Sequence, residues 1–155
     1  MRINEIKEKI KEMYKPLFSF LTSKSLDSLS TYFALKNSIG KEINPIMNNI
    51  FSSFGLEVGS VIGYALSSFE LIVFYYFSKG IEKGIKKIIK KDVKIWKDIY
   101  LSFLYGSSLG YSYIAINNFS LFFSKQLPLE HSFFLFLIPF IFYGKNIFRK
   151  IKDTL

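Results

Sequence analysis

Four stretches of this 155-residue chain, at about 17–37, 55–78, 98–119 and 131–148, are poor in charge, while lysines crowd the segments around them. A run near 20 residues matches the roughly 30 Å hydrocarbon thickness of a bilayer at about 1.5 Å of helix rise per residue. The spacing predicts an all-α fold, a four-span transmembrane helical bundle forming a single integral membrane domain over 1–155. The apolar share of 50% decides nothing, because soluble domains have about as much. The distribution of charge decides.

Two flanking segments read as amphipathic helices. Ile3, Ile6, Ile10, Met13 and Leu17 recur at three- and four-residue steps with Lys and Glu on the other side. This predicts an N-terminal amphipathic interfacial helix over 1–16, lying on the membrane surface or serving as a partner-binding arm. Pro16 suits the first turn of the helix that follows. Between spans 2 and 3, residues 79–97 place Ile81, Ile85, Ile88 and Ile89 on one side. They predict a basic cytoplasmic helix with a membrane surface or a docked partner against it. The first 15 residues are charged throughout, so no cleavable signal peptide is expected.

The loop charges orient the spans. Seventeen Lys and Arg fall in the N-terminal segment, the second loop (Lys79 to Lys97) and the C-terminal segment, against Lys36, Lys41 and Lys125 on the other side. This bias predicts a multi-pass cell-membrane protein with cytoplasmic N- and C-termini. Tyr14, Tyr75, Tyr76, Trp96, Tyr100 and Tyr143 fall at the expected inner boundary, as an aromatic belt should. The net charge of +9 then reflects topology and contact with anionic lipid, and no nucleic-acid partner is expected.

Inside lipid, small residues let helices approach closely and polar ones must find partners within the bundle. The first span has Lys24, Asp27, Thr31, Ala34 and Ser38 on one face. The second has Gly59, Gly63, Ser67 and Glu70, and the third Ser102, Gly106, Gly110, Tyr113 and Asn117. The three stripes are expected to meet. The fourth span, with Pro139 inside it, is bulky and apolar all round and is expected outside the other three. Lys24, Asp27, Thr31 and Glu70 are the intramembrane polar and ion-pair candidates. Lys24 with Glu70 is one plausible pair, and Lys24 with its three-residue neighbour Asp27 is another. They either fix helix register or line a hydrated path.

Beyond the first span, Gly40 suits a left-handed helix end, and Asn44 followed by Pro45 a helix start, giving a short helix over about 45–53 that ends at Gly55. Glu42, Asn44, Asn117 and Asn118 gather on the outer side as a polar cluster above Asp27 and Thr31. Asp27, the turn Glu42-Ile43-Asn44-Pro45 and an Asn late in a following helix (Asn117 or Asn118) resemble an uncharacterised domain-of-unknown-function family of small prokaryotic membrane proteins. The resemblance covers about residues 20–120. It implies a polytopic helical fold and no established activity. That family often has Lys in its second span, where this chain has Glu70.

Catalytic patterns are thin. There is no cysteine and only one histidine, His131, so thiolate and histidine metal sites within one chain are excluded. No zinc-protease, nucleophile-elbow or phosphate-loop motif occurs, and no cofactor is expected. The sequence favours a non-catalytic structural or accessory subunit of a membrane assembly, either a homo-oligomer or part of a larger complex. An oligomeric ion or small-solute channel or transporter using the intramembrane charges is the alternative, and an intramembrane lipid-modifying enzyme a second one.

Overall fold

A computed structural model describes residues 3–42, 44–123, 126–128 and 130–155, with side chains described from Glu12 onward. The expected stripe of Ile3, Ile6 and Ile10, the basic residues Arg2, Lys7, Lys9 and Lys11, and Ile43 and Lys125 lie outside the described residues or side chains. Four α-helices are present: α1 (Ile3–Lys36), α2 (Pro45–Ile89), α3 (Trp96–Ser120) and α4 (Glu130–Thr154), with a 3-10 turn at Leu121–Phe123. No strand occurs among the described residues.

Two element boundaries differ from the sequence expectation, and a third falls where expected but with an added fold. First, no new helix begins at Pro16, because α1 runs through it. A proline inside a helix removes one backbone hydrogen bond. Here Pro16 is fully buried, and Met13 and Phe20 on either side of it pack with Tyr100 and Leu104 of α3, which holds the helix across the gap.

Second, the separate basic helix over 79–97 is absent. α2 continues to Ile89 and ends at Lys90 in the left-handed conformation (φ 54°, ψ 26°), and α3 starts at Trp96. Ile81, Ile85 and Ile89 pack with Val93, Ile95 and Ile99, joined by Ile147 and Ile151 of α4. This apolar face is therefore used internally, and only Ile88 is left out, 80% exposed.

Third, the short helix before Gly55 does more than precede the next one. Gly55 adopts φ 79°, ψ 169°, which favours glycine, and the chain reverses there. The first limb of α2 (45–54) folds back on the second (56–89), laying Phe51 against Gly59 and Met47 against Gly63. Asn44 starts the limb, its Oδ1 accepting the backbone N–H of Ile46 at 3.0 Å and of Met47 at 3.4 Å.

α3 is the centre, flanked by α1 and α4, with α2 more lightly packed across α1 and α3. The buried face of α1 is Phe20, Ser23, Asp27, Ser30 and Ala34, at alternating steps of three and four. It meets α3 through Phe20 on Tyr111, Ser112 Oγ donating to Ser23 Oγ at 3.0 Å, and Asn118 Nδ2 donating to Ser30 Oγ at 3.1 Å. Within the stripe of Ser102, Gly106, Gly110, Tyr113 and Asn117, Asn117 meets the α1 and α2 stripes, but the two glycines do not. Gly106 abuts the backbone carbonyl of Phe136, and Gly110 lies near that of Ser132, both on α4. A central helix has two faces to satisfy, and this one accepts α4. Pro139 is buried within the continuous α4.

Besides its two apolar clusters the interior holds many polar side chains, and many large apolar ones face outward. Ser30, Ser78 and Ser102 are inaccessible, whereas Val61 is 71% and Phe142 68% exposed. Two helices, α2 and α4, are long and apolar enough to cross a membrane, and little of their apolar windows is buried. In α1 and α3 the hydropathy is lowered by residues such as Asp27, Ser30, Ser108 and Asn117, all of which face inward. Among the described residues no buried side-chain nitrogen or oxygen lacks a hydrogen-bond partner.

Candidate functional site

A cavity of about 810 Å³ opens between α1, α3 and the more lightly packed α2. Its floor is built from one charged stretch of α1, one carboxylate of α2 and one phenol of α3. On α1, Lys24 and Asp27 stand three residues apart, and Lys24 Nζ lies 3.2 Å from Asp27 Oδ2. The same ammonium sits over the ring of Tyr111, 4.0 Å from its centroid. Tyr111 in turn donates its hydroxyl proton to Glu70 Oε2 at 2.5 Å. The pairing of Lys24 with Glu70 is thus replaced by a relay in which Tyr111 stands between them.

Halfway up, Asn118 donates to Thr31 Oγ1 at 3.0 Å as well as to Ser30. Asn117 is buried beside it, and its Oδ1 accepts the backbone N–H of Leu127 at 2.7 Å, which fastens the chain after α3. At the loop end, Glu42 Oε1 accepts the N–H of Asn44 at 2.7 Å. Lys24, Asp27, Thr31, Glu70, Glu42, Asn44, Asn117 and Asn118 all line the one cavity, so the mid-helix group and the loop-end group form a continuous wall. Met47 and Phe51 of the fold-back limb supply an apolar side.

The small residues have different duties. Gly63 lines the cavity, and together with Gly59 it seats the limb of the same helix instead of a neighbouring helix. Ser67 is buried and bonds to the Gly63 carbonyl at 2.8 Å. Gly106 lies on the far side of α3, against α4. Gly110, which also faces α4, lines a shallower cleft of about 430 Å³ that reaches Glu70 and Tyr111 from the α4 side. His131 is exposed and pairs through Nδ1 with the Tyr113 hydroxyl at 3.2 Å.

Two residues of consequence escaped the sequence reading. Tyr111 had a usable signal, since a phenol in the middle of an apolar helix requires a partner for its hydroxyl. Glu82 had none. Its carboxylate, carried on α2, accepts the N–H groups of Ile95 at 2.7 Å and Trp96 at 2.8 Å and so caps α3, whose own cap residue provides no side-chain bond. Lys86 bridges Glu82 at 3.0 Å and Asp92 at 2.7 Å. Burial works to raise the Glu82 pKa, but the Trp96 and Ile95 amides and the Lys86 ammonium outweigh it and hold the group below its ordinary value. Lys86 likewise draws the Asp92 carboxyl down. The same end is tied by Lys150 to Asp98 at 2.5 Å and by Lys97 to Glu12.

Among the described residues no three His, Asp or Glu side chains converge as a metal site. What the cavity offers is hydrogen bonding, an aromatic face and charge of both signs. No protein-family model, curated protein or solved structure matches the chain.

Proposed function

We propose that the chain is a polytopic membrane protein crossing the bilayer four times, with both ends of the sequence on the cytoplasmic side, and that its cavity receives a small polar solute from the outer side. One observation carries the reading: a charged and amide-lined cavity lies inside a molecule with many large apolar side chains facing outward. A soluble monomer rarely exposes large contiguous apolar surface, and in lipid the same surface is the favourable one. Intramembrane charge is costly enough to be kept for pairing, solute paths or relays.

The lysine bias supports the orientation. It puts the turn at 90–95 on the cytoplasmic side and the loops bearing Lys41, Glu42, Asn44 and Gln126 outside. The cluster of Tyr75, Trp96 and Tyr100, with Lys79 4.2 Å over the Trp96 ring, suits a headgroup boundary at the inner end. Exposed lysines such as Lys83, Lys87 and Lys91 at that end suit anionic headgroups. The second limb of α2, about 50 Å long at 1.5 Å per residue, outreaches the hydrocarbon and carries its last turns into the cytoplasm.

The cavity favours solute handling over a purely structural role. An accessory subunit remains the second reading, supported by the breadth of exposed Phe on α4, which suits a subunit contact as well as lipid. Two measurements test the proposal. The chain lacks cysteine, so Thr31→Cys and Lys90→Cys each give one thiol. Thr31→Cys is expected to react with a membrane-impermeant thiol reagent added outside intact cells, and Lys90→Cys only after permeabilisation. In proteoliposomes, uptake of cationic, zwitterionic, anionic and neutral small solutes is compared with protein-free vesicles. Uptake of one class, lost in Asp27→Asn, is expected. Uptake of none, with the chain recovered in a stable assembly, would replace the proposal by the accessory-subunit reading.

A further inference from the structure

The floor of the cavity already holds an ammonium. Lys24 Nζ is 3.2 Å from the Asp27 carboxylate and 4.0 Å from the Tyr111 ring centroid. A cation over an aromatic face is held by the ring quadrupole, more strongly as water is removed. Tyr111 also donates its proton to Glu70 at 2.5 Å, which pushes electron density into the ring and strengthens that face.

The charges do not balance. Asp27 and Glu70 bring two carboxylates and Lys24 one ammonium, and these are the charged side chains lining the floor. Lys41 and Glu42, at the loop end, offset one another. The floor thus carries one more acidic than basic side chain, in surroundings where an unpaired charge is costly. Glu70 also faces a second cleft, so its carboxylate is reachable from two sides.

We infer that this floor is a binding site for a small primary ammonium, with Lys24 as a tethered occupant and Glu70, Asp27 and Tyr111 as the groups that receive a second one. The inference rests on the proposed solute access and names the solute class. The floor suits an organic ammonium better than a metal ion. No three Asp, Glu or His side chains converge there among the described residues, and an aromatic face favours a weakly hydrated organic cation over a strongly hydrated inorganic one. Thr31 and Asn118 above the floor can receive a polar group on the same molecule.

The test uses the full chain in detergent, with the thermal unfolding midpoint followed by fluorescence of its single tryptophan, Trp96. The probe is ethylammonium chloride, compared with potassium chloride at equal ionic strength and with ethanol. Ethylammonium alone is expected to raise the midpoint, by about 3 °C at ten times its dissociation constant and further with the logarithm of concentration. The rise is expected to disappear in Glu70→Gln. Lys24→Met, which removes the tethered occupant, is expected to melt lower and to recover at least half of its loss with ethylammonium. Should Glu70→Gln fail to fold, Lys24→Met with the parent protein decides. Equal effects of potassium or ethanol, or no ethylammonium effect in either protein, would overturn the inference. A Thr31→Cys thiol closed to outside reagent would defeat the access reading. A reactive thiol with no ammonium-specific shift defeats this inference alone.

Discussion

The Glu70 carboxylate meets a phenol where an ammonium was expected, and this changes what the residue depends on. Tyr111→Phe removes the hydrogen bond that Glu70 Oε2 accepts and leaves the ring in place. The expected cost is about 1–3 kcal/mol, typical of a bond to a charged group, read as a lowered unfolding midpoint. Glu82 gives a second prediction. Glu82→Ala uncovers the amides of Ile95 and Trp96 and is expected to cost about 1–3 kcal/mol. Its pH dependence has a definite sign. Because the folded pKa lies below the ordinary 4.5, the stabilisation is complete above 4.5 and is lost as pH falls through the folded value. The midpoint difference between parent and Glu82→Gln is therefore expected to shrink between pH 6 and pH 3. At this scale the sequence discloses near neighbours only. Lys24 and Asp27 are three residues apart and pair as helix geometry allows, whereas Tyr111 and Glu70 are separated by 41 positions and no periodicity links them.

At the scale of elements, each stripe of small residues was visible but its partner was not. Gly59 and Gly63 look like a helix-dimer seam, yet they receive Phe51 and Met47 because Gly55 turns the chain back on itself. Period alone cannot reveal a reversal within one helix. The α3 stripe resembles those of α1 and α2, yet its two glycines face α4. A helix covered on both sides presents two such faces, and α1 meets the other one. The isoleucines of 81–89 showed the right face and the wrong partner, because Val93, Ile95 and Ile99 lie immediately after them in the fold. Gly106 supplies the sharpest test. A side chain there would run into the Phe136 carbonyl, so Gly106→Leu is expected to lose about 1–3 kcal/mol or to separate α4. Gly144, in open space on the same pair of helices, is expected to accept Ala with a gain of about 0.5–1 kcal/mol. Thermal melts of the two variants beside the parent check both.

For the whole molecule, the charge-poor windows carried the helical architecture, and the handling of polarity explains why hydropathy alone undersells α1 and α3. Serines, Asp27 and Asn117 lower their averages while being hidden among helices, and bulky groups such as Val61, Phe134 and Phe142 point out. Site-directed spin labels in lipid nanodiscs distinguish this arrangement of polar interior groups and outward apolar ones from its reverse. With single labels at Val61, Phe142 and Thr31, collision with oxygen, which concentrates in lipid, is compared with collision with a water-soluble nickel chelate. Val61 and Phe142 are expected to be open to oxygen and closed to nickel, and Thr31 the reverse. Nickel access at Val61 and Phe142, with Thr31 open to oxygen or sealed to both, would contradict it.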